Sequence, residues 1–472
     1  MKANFLPTLR TYLPVITGVL AISITSCKLV GPNHTVPESE GASSFKGASA
    51  GYSARMDKHW WRVFGDGKLN SLMADLDNGN FDLRAAEARR NQAYAALSLD
   101  RSELSPQVFT KASATRNRSS ENSRGGGGKL ETYYDQYKIG MSLGYEVDLW
   151  GRVRRIVEAG SANAEAAEVS VDQVKLSLQA QLARSYFAMR FLDSEVAVLN
   201  KALATREQSL HLAKDRFEGG KTSELDVARA ESEMAATRAQ LVSLQSPRAS
   251  LENAIAVLTG KNASNFSIAA DPIRGNAPHV PAGSPMQLLG RRPDVFIAER
   301  KLAASSANIG VAEADFYPRI SLIGTGGLSS INTSDFLKRS SLAFSIGPQV
   351  DLPLFQGLRR KADFDAAKAK HEEALANYQQ TVLTAFSDVE NALAARRAAN
   401  NEVAAQNDSI AAAQKSFELS NVRYKEGVSS YLEAVDSQRE LLNAQRNEVQ
   451  ARGHAFGATV LLMQALGGGF SN

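Results

Sequence analysis

Two long stretches of the chain contain no proline and carry the pattern of unusually long helices. They comprise residues 161–216 and 361–423. In the first stretch, apolar residues recur every three or four positions over 174–203, which predicts a coiled-coil-like stripe. At about 1.5 Å per residue the helices would be roughly 84 and 95 Å long, whereas helices of globular proteins usually contain about 8 to 20 residues. These stretches are therefore not core helices of a compact domain.

Each stretch is followed by a glycine-containing turn and a second helical segment, which predicts two helical hairpins. The two hairpins align with each other without gaps. The matched pairs include Leu212 with Leu419, Arg216 with Arg423, Phe217 with Tyr424, Gly220 with Gly427, Asp226 with Glu433 and Glu233 with Glu440. The chain is therefore predicted to be an internal duplication.

A segment of alternating apolar and polar residues precedes each long helix. These segments are 139–149 and 342–352, and each has a weaker partner, at 107–116 and 320–328. Their length matches the roughly 9 to 11 residues of a transmembrane β-strand. A half-buried strand of a soluble domain shows the same alternation and is the alternative.

Four strands cannot close a barrel, and open strand edges are not tolerated in lipid because unpaired backbone groups are costly there. If these strands cross a membrane, several chains must therefore share one barrel. A barrel of about eight strands is filled by its own side chains, so a pore favours three or more chains.

The first 26 residues have the features of a secretory signal peptide. Lys2 and Arg10 precede a short apolar stretch and the tetrapeptide Ile-Thr-Ser-Cys, which ends at Cys27. This tetrapeptide resembles the bacterial lipobox, which implies a covalent lipid on Cys27 and stable membrane anchoring. A signal peptide with a coincidental cysteine is the alternative. By the same resemblance, Lys28 stands where aspartate would signal inner-membrane retention, so the outer membrane is favoured.

Composition and motif searches argue against several other classes of protein. A net charge of +4 is too weak to indicate nucleic acid, and a single cysteine excludes intrachain disulfides. No apolar run is long enough for a membrane-spanning helix. The six histidines are scattered, and residues 124–129 lack the flanking residues of a P-loop and predict a flexible hairpin loop. We therefore expect no metal, no cofactor besides the lipid, and no enzymatic activity.

Several short motifs, in this order and in this duplicated context, resemble those of the TolC-like outer-membrane efflux channels, in the lipoprotein branch of the OprM and NodT type. The motifs are Cys27 with Gly31-Pro32-Asn33, Trp60-Trp61 with Phe64-Gly65-Asp66, the segment 145–152, Arg291-Arg292-Pro293-Asp294, Phe316-Tyr317-Pro318 and Pro353-Leu354-Phe355. The resemblance covers nearly the whole mature chain. It implies a mainly α-helical fold with membrane β-strands, in which each duplicated half has two transmembrane strands and one long helical hairpin. It also implies a homotrimer, with a twelve-stranded β-barrel on a twelve-helix α-barrel tunnel and an equatorial domain.

The resemblance also implies a function in the outer membrane of a Gram-negative bacterium, with the tunnel extending into the periplasm. The channel would passively conduct small molecules such as drugs, supplied by an inner-membrane RND-type pump through a periplasmic adaptor of the membrane fusion protein type. Type I protein secretion and heavy-metal efflux are alternative systems, although the scattered histidines give no special support to copper or silver. A periplasmic coiled-coil adaptor or scaffold lipoprotein would explain the hairpins and the lipid, but not the alternating strands.

The predicted domains follow the duplication. They are the signal peptide 1–26, a lipid-anchored strap and equatorial segment 27–82, the first repeat 83–260, an equatorial linker 261–294, the second repeat 295–467 and a C-terminal tail 468–472.

The resemblance assigns a periplasmic gate to the hairpin turns. By position, Arg423 and Tyr424 match a latch pair, Asp436 matches the aspartate that follows the second turn, and Asp226 matches the acidic position of the first hairpin. Glu433 occupies the place of Asp226 in the second repeat. The tips implied for adaptor contact are Gly219, Gly220, Gly427 and Ser430. The alternative is that these charges are solvated and that Asp226 and Glu433 only stabilise helix N-termini through the helix dipole.

Overall fold

The structure is a computed structural model that describes residues 29–37, 44–46, 57–120, 133–281 and 285–470. The predicted signal peptide, the lipidation position Cys27 and the predicted loop 124–129 lie outside the described residues.

The described chain is mostly helical, and its long helices lie where the sequence predicted them. A short 3-10 helix, Trp60–Phe64, precedes them. The α-helices are α1 Gly67–Gly79, α2 Phe81–Ser102, α3 Arg152–Glu218, α4 Glu224–Ser243, α5 Gln245–Leu258, α6 Pro285–Leu289, α7 Pro293–Ala314, α8 Arg359–Lys425 and α9 Tyr431–Ala465.

Helices α3 and α8 each contain 67 residues, which corresponds to roughly 100 Å. They include the whole of the predicted stretches 161–216 and 361–423, so these predictions are confirmed. Each is followed by a turn and a returning helix, as the duplication predicted. Such lengths exceed those of ordinary globular helices.

The returning helix differs between the two repeats. In the second repeat α9 runs uninterrupted for 35 residues. In the first repeat the corresponding stretch is divided at Leu244 into α4 and α5. The cause is Pro247, whose ring would clash with the carbonyl group of Ser243, the last residue of α4. Proline is tolerated in the first turn of α5, where its missing N–H has no helical partner.

The strands form one antiparallel sheet in the order β1-β2-β3-β4. Their bounds are β1 Gln107–Arg118, β2 Tyr133–Val147, β3 Arg319–Ser330 and β4 Leu342–Asp351. All the predicted strand segments are confirmed, with shifts of a few residues at their ends. Within the described residues, β1 and β4 each pair with one strand only, so the sheet has two unpaired edges. None of the described helices is apolar enough over a sufficient length to cross a membrane.

A glycine pair allows the two halves of the sheet to approach closely. Gly140 of β2 lies opposite Gly327 of β3 in the register. A Cβ atom on Gly327 would lie 2.2 Å from the carbonyl oxygen of Ile139 and 2.4 Å from the Cα of Gly140. No other residue fits at Gly327 without moving the neighbouring strand.

The chain divides into two compact units, and each contains parts of both repeats. Unit 1 comprises Met1–Pro37, Arg90–Ala167 and Ala298–Tyr378, and it contains the sheet. Unit 2 comprises Glu38–Arg89, Glu168–Ile297 and Gln379–Asn472, and it contains both hairpin turns.

In unit 1, the chain segment 29–33 is held against α3 and α7. Arg155 of α3 is only 1% exposed, and it donates hydrogen bonds of 3.0 Å to the backbone oxygen of Gly31 and to the Asn33 Oδ1. Gly31 adopts a φ of +91° and packs on Gly310 of α7, where a Cβ would lie 2.3 Å from the Gly310 Cα. Because Arg155 is buried with these partners, this part of the predicted strap is an integral part of the unit.

In unit 2, aromatic and leucine side chains form the core around α1 and α3. Trp60 and Trp61 are buried and anchor this core. Phe64 packs on Phe187 of α3 with 4.6 Å between ring centroids. Arg292 is also buried, and it donates to Asp294 at 2.6 Å and to the backbone oxygen of Ala465 at 3.0 Å. Arg292 of the Arg-Arg-Pro-Asp motif therefore joins the start of α7 to the last residue of α9.

Candidate functional site

The two hairpin turns have the same backbone geometry. In the first, the amide of Lys221 donates to the Arg216 carbonyl and that of Gly220 to the Phe217 carbonyl. In the second, Val428 and Gly427 make the same two bonds to the carbonyls of residues 423 and 424. This pair of bonds defines a Schellman helix end, which requires a left-handed residue. Gly220 and Gly427, with φ of +66° and +80°, supply that conformation without strain.

The predicted tip residues lie at these turns and are accessible. Gly219 and Gly220 are exposed between α3 and α4. Gly427 and Ser430 are exposed between α8 and α9, where Ser430 is the residue that precedes α9. The turns therefore present backbone and small side chains to the solvent in the single chain.

Tyr424 is the centre of a buried apolar cluster beneath the second turn. We call this cluster the tip cluster; it consists of Leu210, Ala213, Ala230, Tyr424, Tyr431, Ala434 and Val435. The Tyr424 and Tyr431 rings are 5.3 Å apart. Burial raises the pKa of Tyr424, with Arg216 opposing and Asp226 adding to the effect, and burial raises the pKa of Tyr431 to about 12. The Tyr424 hydroxyl is buried and has no hydrogen-bond partner in the part of the chain that the structure describes.

Arg216 connects the two hairpins at their tips. Its guanidinium donates to the backbone oxygens of Tyr424 and Lys425, at the C-terminal end of α8. It also lies over the Tyr424 ring, with 4.8 Å from the Cζ to the ring centroid. A cation at a helix C-terminus satisfies the free carbonyls and interacts favourably with the helix dipole. Arg216 aligns with Arg423 in the duplicated sequence, and no local motif marks this role.

A second connection between the hairpins is formed by three charged residues, Arg206 of α3, Glu233 of α4 and Arg439 of α9, which we call the clamp. Arg206 and Glu233 are buried. The Glu233 carboxylate lies 3.0 Å from the Arg206 Nη2 and accepts from the Arg439 Nε at 2.8 Å. Arg206 also donates to the backbone oxygen of Glu233 at 2.7 Å and to the Thr237 hydroxyl. Burial lowers the pKa of Arg206, and Glu233 opposes this effect.

The predicted gate residues occupy different environments. Arg423 is 57% exposed by its side chain, and it lies 3.9 Å from Glu433, which is equally exposed. Asp436 is 55% exposed and lies 3.3 Å from the Arg439 of the clamp. Asp226 is mostly buried, accepts from the Thr222 hydroxyl and lies 3.8 Å from Arg229. The structure therefore pairs Arg423 with Glu433, and links Asp436 to the clamp.

Sequence reasoning missed the clamp and the role of Arg216. Glu233 was noted only as the partner of Glu440 in the duplication, and Arg206 looks like an ordinary surface cation of a polar helix. No local motif marks these residues, because they belong to three helices that meet only in the folded chain. Over the described residues, no group of three or more histidine, cysteine, aspartate or glutamate side chains is arranged to hold a metal ion.

Comparisons with known proteins agree on one family. The family model described as "Outer membrane efflux protein" matches residues 72–261 and 285–468. "Outer membrane protein OprJ" of Pseudomonas aeruginosa is 30% identical over 394 residues, which cover 82% of this chain and 81% of OprJ. "Probable outer membrane lipoprotein SilC" of Salmonella typhimurium is 29% identical over 354 residues, 74% of each chain. The solved structure of the outer-membrane channel OprN superposes with a TM-score of 0.87 and 32% identity, over 93% of this chain and 99% of OprN.

Proposed function

The chain belongs to the outer membrane efflux protein family, and on that premise we propose that it is the exit duct of a tripartite efflux system. In this role it is a non-enzymatic homotrimer in the outer membrane of a Gram-negative bacterium. It passively conducts small molecules, supplied by an inner-membrane RND-type pump and a periplasmic adaptor, to the exterior. The observation that carries the proposal is one chain that combines an open-edged sheet with two helical hairpins of roughly 100 Å.

The two unpaired sheet edges support a trimer. Strand edges that face lipid must be paired, because no water is present to satisfy their backbone groups. Pairing of β1 in one copy with β4 of the next closes a barrel, and three copies supply twelve strands. A barrel of that size has a lumen, whereas one of about eight strands is filled by side chains. The helical hairpins of the three copies then form the walls of the tunnel.

We assign the gate of this duct to the second hairpin turn. Three copies of Asp436 would form a carboxylate ring in a narrow passage, which attracts cations and resists closure unless donors satisfy the oxygens. Arg423 and Glu433 are loosely paired and exposed, so they are available to a neighbouring copy. Tyr424 supports the second turn from below, and Asp226 lies near it on the first hairpin.

The remaining assignments concern the anchor and the tips. We assign the covalent lipid to Cys27, with a lipoprotein among the relatives as support. We assign adaptor contact to the exposed turn residues Gly219, Gly220, Gly427 and Ser430. Selection of the cargo is left to the pump, because the tunnel contributes a passage and not a binding step.

The function is tested first by fractionation and by transport. The protein should be found in the sarkosyl-insoluble outer-membrane fraction as a heat-modifiable trimer. Deletion of the gene should increase susceptibility to several unrelated small molecules, and expression of the wild-type chain should restore resistance. Recovery with the inner membrane, or an unchanged susceptibility profile together with the absence of conductance in planar bilayers, would refute the duct.

The gate is tested by single-channel recording of the double variant Arg423→Ala, Tyr424→Phe in planar bilayers. Arg423 is the exposed donor that is available to a neighbouring copy, and its removal should loosen the contacts between copies at the closed turn, so conductance or opening frequency should increase. The matched control is Lys425→Ala, which removes a neighbouring exposed cation at the same helix end. Equal recordings for the wild type and the double variant would contradict the latch assignment while leaving the duct intact.

A further inference from the structure

The sheet of unit 1 has one apolar face and one polar face. The register runs continuously through all three strand pairs, so residues that lie opposite each other share a face. On one face lie exposed apolar side chains, which are Val108, Ile139, Met141, Leu342, Phe344, Ile346 and Val350. The other face carries mainly glycine, serine, threonine and glutamine, with Phe109 and Ile323 as its large apolar residues. In a membrane barrel the apolar face contacts lipid, so the polar face lines the lumen.

Two lysines lie on the polar face. Lys111 of β1 lies opposite Gly140 of β2, and Lys138 lies two residues from Gly140 along the same strand. The two lysines are therefore diagonal neighbours on one face, with roughly 7 to 8 Å between their backbones. The row of Lys111 continues across the sheet through Gly327 to Ala343. Both lysines are exposed and line a cavity of about 690 Å³, where these small neighbours leave room for their side chains.

Within the described residues, neither of these lysines forms an ion pair. The carboxylates of the polar face lie at the end of the sheet nearest the long helices. Glu146 lies roughly 20 Å farther along β2, at about 3.3 Å per residue, and it accepts two bonds from Arg152, at 2.9 and 2.8 Å. Asp351 lies opposite Arg319 and accepts from the side-chain amide of Gln349 at 2.9 Å. The positive charges of the two lysines are therefore not compensated by the face on which they lie.

The cations of β1 on the apolar face have partners, in contrast to the two lysines. Arg116 lies opposite Asp135 of β2, and its guanidinium lies 3.9 Å from that carboxylate. Arg118 lies over the Tyr133 ring, with 5.5 Å between the Cζ and the ring centroid. A charge that faces the hydrocarbon region is costly unless it is paired. Unpaired lysines therefore suit the water-filled side of the sheet.

The width of the proposed barrel places the ammonium groups where they act on passing ions. Twelve strands that are about 4.8 Å apart and tilted by about 40° enclose a backbone radius of roughly 12 Å. A lysine stem of four methylene groups reaches roughly 6 Å toward the axis. Each ammonium group then lies within one Debye length of the axis, since that length is about 10 Å at an ionic strength of about 0.1 M. The field of the lysines therefore extends across the lumen.

We propose that Lys111 and Lys138 form an anion-favouring ring in the lumen of the barrel. Two lysines from each of three copies give six ammonium groups at neighbouring levels. Rings of cationic side chains favour anions because they raise the local concentration of anions and repel cations. The molecules that the barrel favours are therefore small anions, whereas the carboxylate ring that we assign to Asp436 attracts cations. The inference rests on the proposed function, because it requires three copies to close one barrel.

The test is the reversal potential of reconstituted full-length trimers in planar bilayers under a gradient of potassium chloride. For K111Q/K138Q the chloride-to-potassium permeability ratio should fall roughly threefold to tenfold from that of the wild type, since the lost charges lie within a Debye length of the axis. The matched control R116Q/R118Q removes as many charges from the apolar face and should keep the wild-type ratio. An unchanged ratio in K111Q/K138Q, or an equal fall in the control, would overturn the ring.

The salt dependence and a charge-conserving variant separate charge from shape. The difference between the wild type and K111Q/K138Q should be largest at about 0.01 M salt, where the Debye length is about 30 Å, and small at about 1 M, where it is about 3 Å. K111R/K138R keeps the charges and should keep the wild-type ratio at each salt concentration. A fall in this variant, or a difference that does not shrink as salt is added, would show that side-chain shape sets the ratio, and the ring would be wrong.

The same recordings separate the ring from the duct. Conducting trimers with equal ratios in the wild type and in K111Q/K138Q refute the ring and leave the duct intact. A wild type that forms no conducting trimer refutes the duct, and the ring with it. If K111Q/K138Q does not assemble, the single variants K111Q and K138Q take its place, and each should show about half of the effect on a logarithmic scale.

Discussion

The two hairpin turns share one backbone and use their side chains in opposite ways. Arg216 of the first turn is half-buried and bonded to the end of α8, whereas its counterpart Arg423 is exposed. Phe217 of the first turn is 44% exposed, whereas its counterpart Tyr424 is 4% exposed. The Schellman bonds depend only on a glycine of positive φ, so both repeats retain them.

The difference shows that the repeats have specialised within one protomer. The first hairpin supplies Arg206, Arg216 and Glu233, which hold the second hairpin in place. The second hairpin supplies Arg439, which completes the clamp and also contacts Asp436. The two repeats contact each other within one chain. A residue of one repeat that contacts the other repeat therefore need not make an equivalent contact at its matching position in the duplication. Four substitutions test this asymmetry.

The largest effect is expected for Glu233→Ala. The substitution leaves Arg206 buried without its carboxylate, and breaking a buried ion pair costs about 3 to 5 kcal/mol. Local opening of α4 and α9 should become easier by that amount, as measured by hydrogen–deuterium exchange of their amides. The matched control is Glu440→Ala at the equivalent exposed position, for which a change within about 0.5 kcal/mol is expected. Similar effects of both substitutions would contradict the asymmetry.

A smaller effect is expected for Arg216→Ala. It removes the bonds to the last carbonyls of α8 and the contact with the Tyr424 ring. Hydrogen bonds to a charged group contribute about 1.5 to 3 kcal/mol, so exchange at the C-terminal end of α8 should accelerate accordingly. Arg423→Ala removes only an exposed contact of 3.9 Å, and about 0 to 1 kcal/mol is expected. If Arg423→Ala destabilises the tip more, Arg216 is not the connecting residue.

Tyr424→Phe should change local stability by about 1 kcal/mol or less, and in the stabilising direction. The buried hydroxyl has no partner within the described residues, so its removal eliminates a desolvation cost and no hydrogen bond. The exchange rates of α8 and α9 should therefore be equal to or slower than those of the wild type. Faster exchange would indicate that the hydroxyl has a partner in the assembled trimer.

The smallest effect at neutral pH concerns Tyr431, whose pKa burial raises to about 12. A raised pKa means that the unfolded tyrosine ionises first, near its ordinary value of about 10. The contribution of neutral Tyr431 to the free energy of unfolding is fully present below about pH 10 and is lost as the pH rises toward about 12. Hydrogen exchange of the α9 amides, corrected for the intrinsic exchange rate at each pH, measures the alkaline opening of this helix. Tyr431→Phe should shift this opening to higher pH. An unchanged alkaline profile would show that Tyr431 does not titrate in this range.

Much of the fold was predictable because its signals are local. The proline-free stretches predicted α3 and α8, the alternation predicted the four strands, and Gly220 and Gly427 predicted the turns. Helix periodicity, strand alternation and positive φ each depend on residues close together in the chain. The break between α4 and α5 also has a local signal, Pro247, although the hairpin pattern alone predicted one continuous returning helix.

The candidate site was predictable only in part. The sequence placed Arg423, Tyr424, Glu433 and Asp436 at the second turn, and the structure has them there. It did not distinguish buried Tyr424 from exposed Arg423, because neighbouring helical residues point to different faces. Burial of a helical side chain depends on which other helices pack against its face. For a helix that is packed on several faces, no periodic pattern in the sequence shows which side chains these are.

The sequence by itself determined the long helices, the strands, the turns and the duplication, since each follows from patterns over a few residues. Only the tertiary structure decided that Arg206 and Arg216 act on the opposite hairpin, while Arg423 is left exposed. Glu233 and Arg439 lie 206 positions apart in the chain, and only the fold brings the half-exposed Arg439 to the buried carboxylate of Glu233. An arginine exposed to water and the buried arginine of the clamp are the same residue type in the sequence. They differ only in the dielectric environment that the folded chain places around them.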